Sequence, residues 1–175
     1  VETAEKDHLL LTKGAPEAVF ARCSHFELNG EIFPMEPILV GDLMEQYEEL
    51  SAQGFRVLAI AYKHVNKHGT FTKDDENDLT LRGYLAFLDP PKDSAGRALA
   101  TLKSHGVRVK VLTGDNDLVT RRVCQQVSIP AEKIVLGSAV EKMSDQELEQ
   151  AVEGTDTFAR LLPNHKRRII EALRR

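Results

Sequence analysis

Tryptophan is absent from this chain of 175 residues, and all aromatic residues together make up 6%. Cysteine occurs twice, at Cys23 and Cys124. Two isolated thiols make no disulfide framework and fit a reducing compartment. No apolar run approaches the ~20 residues that cross a bilayer, and no stretch reads as a secretory signal. A basic surplus is also missing: 23 Lys and Arg face 27 Asp and Glu, for a net charge of -4. That balance lacks the footprint a nucleic-acid backbone requires, so nucleic acid is excluded as a partner. There is no internal repeat and no low-complexity tract. What remains is 42% hydrophobic and 29% charged, the make-up of an ordinary globular protein of one domain or two small ones.

The pattern changes partway along. In the first half, His8–Thr12 reads as a short buried strand. Lys13 and Gly14 turn, and Pro16 suits the first position of a helix reaching about Cys23. Residues 26–28 and 31–33 flank Asn29-Gly30, the signature of a type I′ hairpin. Leu43, Tyr47 and Leu50 mark a helix from about Asp42 that Gly54 stops. Arg56–Tyr62 is a central strand, 63–78 a polar loop, and Leu79–Leu88 a long strand ended by Asp89-Pro90-Pro91. The proline pair cannot donate ladder hydrogen bonds and stiffens the link, so the domain boundary is set there, giving domains 1–88 and 89–175. Beyond it the rhythm is helix and strand in strict alternation, which implies a parallel, Rossmann-like sheet. A helix carries Ala95, Ala98, Leu99 and Leu102 and ends at Gly106. Strands follow at 107–112, 134–136 and 157–160. Helices open near Leu118, at the capping box Ser144-x-x-Glu147, and at Pro163.

The most informative stretch is 107–116. Valines at 107, 109 and 111 alternate with Arg108 and Lys110, a period-2 strand. It ends in Thr113-Gly114-Asp115, where Gly114 permits a tight turn and Asp115 or Asn116 caps the next helix. Open α/β sheets place their chemistry beyond the carboxyl ends of strands, which is where Thr113 stands. Taken alone the turn reads more often as a plain turn and helix cap, Lys13 and Lys166 read as surface lysines beside helix starts, and Arg56 reads as an edge charge.

Three further blocks accompany it: Lys13-Gly14-Ala15-Pro16-Glu17, Asp89-Pro90-Pro91-Lys92-Asp93, and the run from Phe158 through Arg160 and Pro163 to Lys166. In this order the four blocks resemble the cytosolic catalytic part of P-type cation-transporting ATPases, over nearly the whole chain. Residues 83–92 and 117–124 are most similar to the bacterial magnesium-transporting members. The resemblance implies an α/β fold: the C-terminal part of an α+β nucleotide-binding domain, then part of a haloacid-dehalogenase-type phosphorylation domain. It implies ATP with Mg2+, a site for Lys13 and Gly14 beside adenine and for Arg56 on the phosphates, and a hinge at Asp89. Thr113, Gly114 and Lys166 would hold a phosphoryl group, with Asp115 orienting the site or approaching the nucleotide-bound metal and Arg97 facing the phosphates. The pump's remaining chain would be the partner, at the cytoplasmic face of a membrane.

Two departures limit this. The family's phosphorylated aspartate sits in Asp-Lys-Thr-Gly-Thr, and no aspartate here begins that pattern. The Gly-Asp-Gly-x-Asn-Asp motif is also absent, and the aromatic that stacks on adenine would precede Val1. The chain, ending in a helix that still carries Ile169, Ile170 and Leu173, reads as an excised piece that binds nucleotide without turning it over. A phosphorylation domain lacking its first strand would also leave a sheet edge unpaired. The alternatives are a free-standing haloacid-dehalogenase-type phosphatase, disfavoured because no Asp-x-Asp precedes Thr113, and a non-enzymatic nucleotide-binding module. His64 and His68, four apart, and the acidic run 74–78 read as solvated loops rather than metal sites.

Overall fold

The structure is a computed structural model that describes residues 8–65 and 70–175. His68 lies outside the described residues. The protein is a mixed α/β chain in two compact units, one made of residues up to Leu50 with Arg56–Phe87, the other of Ser51–Phe55 with Leu88–Arg175.

The first unit is built on a five-stranded sheet in the order β1-β4-β5-β2-β3, from β1 (His8–Gly14), β2 (Cys23–Leu28), β3 (Glu31–Pro34), β4 (Phe55–Val65) and β5 (Leu79–Leu88). Helices α1 (Pro16–Phe20) and α2 (Pro37–Ala52) complete it. Val19, Phe20, Ala59, Ala61, Leu79 and Leu81 form its core, with Val40, Leu43 and Met44 of α2 packed on them. Alternation decides which side of β4 is buried: Val57, Ala59 and Ala61 face the core, so Arg56, Leu58, Ile60 and Tyr62 face the other way. The hairpin turn is as the Asn-Gly pair requires, with φ of 53° at Asn29 and 86° at Gly30 and Leu28 opposite Glu31. Helix α1 is shorter than its sequence suggests. It stops at Phe20, and Cys23 opens β2 instead, its thiol donating back to the Val19 carbonyl. Helix α2 starts five residues earlier than Asp42, at Pro37, where proline is tolerated at a helix start.

The second unit carries a three-stranded parallel sheet in the order β6-β8-β7, from β6 (Val111–Leu112), β7 (Ile134–Leu136) and β8 (Thr157–Ala159). Its helices are α3 (Ala95–Ser104), α4 (Asp117–Gln126), α5 (Gly137–Lys142), α6 (Asp145–Gly154) and α7 (Pro163–Ala172). The core gathers Val140, Leu148, Val152, Phe158, Leu161 and Ile169. Only two residues of the expected strand 107–112 are laddered. Val111 pairs with Thr157 and Leu112 with Phe158, and β8 supplies no residue upstream to hold 107–110. Strand β6 is also an edge of its sheet, so nothing among the described residues pairs 107–110 from the other side. Val107 is accordingly 48% exposed. Helix α3 has no buried residue, and its Leu99 and Ala100 line an open groove with Val107, Val109 and Ile129. Lys110, which alternates with the valines in the sequence, does not extend into solvent, its side chain being 13% exposed. Its Nζ is drawn to the Val152 and Thr155 carbonyls at the end of α6 and to the Asp156 carboxylate, a cation closing the negative end of a helix.

Candidate functional site

In the first unit, Lys13 lies directly opposite Ile60 in the β1–β4 register. Opposed residues of an antiparallel pair share a face, so Lys13 stands with Ile60, Leu58 and Arg56 on the side away from the core. Four residues of strand separate Arg56 from Ile60, roughly 13 Å, within joint reach of two long cationic side chains and one extended ligand. Between the cations lie Leu58 and Ile60, and the apolar surface continues past Lys13 to Leu11, opposite Tyr62 and 53% exposed. Gly14 lies opposite Ala59, on the core-facing register. A Cβ there would meet Val19 Cγ2 at 3.5 Å, ordinary contact, so Gly14 offers the open face only its backbone.

In the second unit the chemistry-bearing residues collect at the carboxyl ends of β6 and β8. The Thr113 hydroxyl donates to the Asp115 carboxylate at 2.8 Å and accepts the Asp115 N–H at 3.1 Å. Asn116 caps α4, its Oδ1 taking the Val119 N–H at 2.8 Å. Asp115 is thereby left to the turn. Backbone bonds knit this turn to the loop after β8: the Leu161 N–H donates to the Thr113 carbonyl at 3.0 Å and the Arg160 N–H to the Asp115 carbonyl at 2.8 Å. Arg160 adopts φ of 53° to make this possible, a left-handed backbone uncommon for a side-chain-bearing residue. Its guanidinium meets Asp117 at 3.4 Å.

The same loop leads into α7, which begins with Pro163 and has Leu162 at its N-cap, without a side-chain cap. Lys166 lies in that first turn, its N–H bonded to the Leu162 carbonyl at 3.2 Å. Uncapped first-turn amides, the positive end of a helix and a lysine form an anion-receptive end. Thr113, Gly114 and Asp115 therefore sit on a loop bonded to the one after β8, which leads directly into the helix turn bearing Lys166. Gly114 is exposed and close-packed on one side, since a Cβ would lie 3.4 Å from the Leu161 carbonyl.

Neither thiol is poised as a nucleophile. Burial pushes Cys23 up to about 11. Burial also raises Cys124, against smaller opposing effects of the Thr157 hydrogen bond and the Arg121 charge. No three His, Cys, Asp or Glu side chains gather to hold a metal among the described residues.

One feature of the site escaped sequence reasoning. His165 is 3% exposed, and its Nδ1 accepts the Leu162 N–H at 3.2 Å. The available signal was a leucine, which cannot cap, three residues before a histidine, which can reach back.

The Thr113–Asp115 turn and the start of α7 thus lie near each other beyond the carboxyl ends of parallel strands, the place where open α/β sheets carry ligands. The family described as P-type ATPase, cytoplasmic domain N, matches residues 1–94, and the chain belongs to the P-type ATPase family. It is 43% identical over 169 residues to the magnesium-transporting ATPase, P-type 1, of Escherichia coli K12, covering 96% of this chain and 19% of the relative. A magnesium-transporting ATPase, P-type 1, of Salmonella typhimurium LT2 is 44% identical over 179 residues, 100% of this chain and 20% of that protein. A calcium-transporting ATPase of Listeria monocytogenes is 34% identical over 175 residues, 98% and 20%. The chain thus spans about a fifth of the length of the curated relatives it matches. No helix among the described residues is long and apolar enough to cross a membrane.

Proposed function

We propose that the chain is the ATP-binding and phosphoryl-handling part of a magnesium-transporting pump, working at the cytoplasmic face of a membrane. The observation that carries the reading is the pair of joined loops at the ends of β6 and β8, which bring the Thr113–Asp115 turn to the helix start bearing Lys166. Residues up to 88 act as the later part of a nucleotide-binding domain, and 89–175 as part of a phosphorylation domain. ATP, carried with Mg2+, supplies the phosphoryl group. The chain's own residues suit such a ligand: an apolar sheet face flanked by Lys13 and Arg56 matches a heterocycle with phosphates, and an uncapped helix start with a lysine matches an anion. Lys13 and the Gly14 backbone hold the base side, and Arg56 pairs with the phosphates. The Thr113 hydroxyl, the Gly114 N–H and the Lys166 ammonium neutralise the phosphoryl oxygens, in a reaction that depends mainly on positioning and charge. Asp115 orients Thr113. The chain alone binds nucleotide without hydrolysing it, because no aspartate stands in the family's nucleophile motif.

Calorimetric and amide-shift titration of the chain with ATP, beside Lys13→Ala and Arg56→Ala, tests the reading. Weak binding that shifts residues 13–17 and falls with either substitution is the expected result. A folded chain that ignores ATP at millimolar concentration would refute the nucleotide-binding half.

A further inference from the structure

We infer that His165 is a positioning residue for Lys166, acting through the Leu162 N–H and seated on Gly137. The inference rests on the reading that Lys166 meets a phosphoryl oxygen, and deepens it by naming what fixes the lysine.

Helix α7 starts without the usual means of holding its first turn. Its N-cap is Leu162, which has no side-chain acceptor, and no side-chain cap bond is made there. Ser, Thr, Asp or Asn ordinarily fills that place. The bond that does tie the turn runs the other way: His165, third in the helix, reaches back to accept the Leu162 N–H at 3.2 Å. This is one half of a capping box, with imidazole in the role usually given to Glu or Gln. Lys166 follows immediately, about 100° around the helix, so whatever sets the first turn sets the lysine.

The imidazole is itself clamped. A Cβ on Gly137 would lie 2.7 Å from His165 Nδ1 and would clash with the Arg160 carbonyl oxygen. Gly137 directly follows β7 and opens α5, and its missing side chain is the space into which both groups fit. The Arg160 backbone, in turn, binds the Asp115 carbonyl through its N–H. One glycine thus supports both the loop joined to Thr113–Asp115 and the histidine that holds the start of α7.

Packing alone does not explain a histidine here. With Nδ1 accepting, the neutral ring carries its proton on Nε2, and Nε2 is buried with no hydrogen-bond partner among the described residues. An unpartnered buried polar atom is a cost that an apolar side chain of similar size would avoid. What histidine adds is the acceptor at Nδ1.

The test measures kcat and KM for ATP in the pump that carries this chain. His165→Leu is expected to lower kcat roughly 10–100-fold, as misplacement of a reacting group does, with KM unchanged because Lys13 and Arg56 set nucleotide affinity. His165→Gln, which keeps an acceptor at the capping-box position, is expected to restore most of the rate. Wild-type kcat in His165→Leu, or an equal loss in both variants, would overturn the inference. Lys166→Met separates the two readings. If it loses kcat while His165→Leu does not, only the positioning role falls; if it keeps kcat, the role of Lys166 falls and this inference with it. Should His165→Leu fail to fold, imidazole nitrogen shifts of the unsubstituted chain decide. A proton on Nε2, with coupling across the bond from the Leu162 amide to Nδ1, supports the role, and a proton on Nδ1 overturns it.

Discussion

The hydroxyl of Thr113 and the carboxylate of Asp115 are locked together, the first donating to the second at 2.8 Å while accepting that residue's own N–H at 3.1 Å. One short side chain satisfies both ends of the turn. The hydroxyl has a single proton, so it reaches a phosphoryl oxygen as a donor only by rotating that proton off Asp115. Thr113→Val removes both the donor and the turn bond, and is expected to lower ATP turnover in the pump by roughly 10²–10³-fold, the usual cost of one preorganised donor. Thr113→Ser, which keeps the hydroxyl, should retain most of the rate. Steady-state ATPase assays of the two variants check this, and an undiminished valine variant would take Thr113 out of the chemistry.

Lys110 bears on stability rather than chemistry. Its side chain is 13% exposed and meets Asp156 at 2.9 Å while donating to carbonyls at the end of α6. Lys110→Met keeps the apolar stem and strands those acceptors, at about 1–3 kcal/mol for hydrogen bonds to a charged group. Arg108 meets the same carboxylate, but its side chain is 54% exposed. Arg108→Met should therefore cost under about 1 kcal/mol, as solvent-screened pairs do. Urea unfolding of both variants distinguishes the two cations, and equal losses would mean that Lys110 does not act through the helix end.

How much of this was legible in the sequence depended on whether the cause was local. Strands β5 and β7 match their expected residues, because alternation or a short apolar run bounded by turn residues needs no distant partner. The Asn29-Gly30 turn and the Ser144–Glu147 box are likewise set by chemistry within four residues. Misreadings arose where a neighbour decided. Residues 107–110 alternate as a strand should, yet form none because β8 begins too late to pair with them. The helix expected to reach Cys23 stops at Phe20, since β2 claims Cys23 for the sheet. Helix α5 carries no strong periodic signal and was not anticipated. At the site, the sequence marked the Thr113 turn and Lys166 but not what joins them. The left-handed Arg160 backbone, the space at Gly137 and the reach of His165 are relations between segments far apart in the chain.

The pH dependence of unfolding gives a separate check on the Lys110 cluster. Burial raises the Asp156 carboxyl, but hydrogen bonds and charge from Lys110 and Arg108 outweigh it and leave the group below its ordinary value. A carboxyl lowered in the folded state contributes stability above its unfolded value, near 3.9, and loses that contribution as pH falls toward the folded value. Asp156→Asn should therefore be less stable than the parent at neutral pH, by a gap that holds steady down to about pH 5 and narrows below about pH 4. Thermal midpoints of the two proteins across that range measure the gap. A gap that widens on acidification would mean that Asp156 is held protonated in the folded chain, against the two cations that face it.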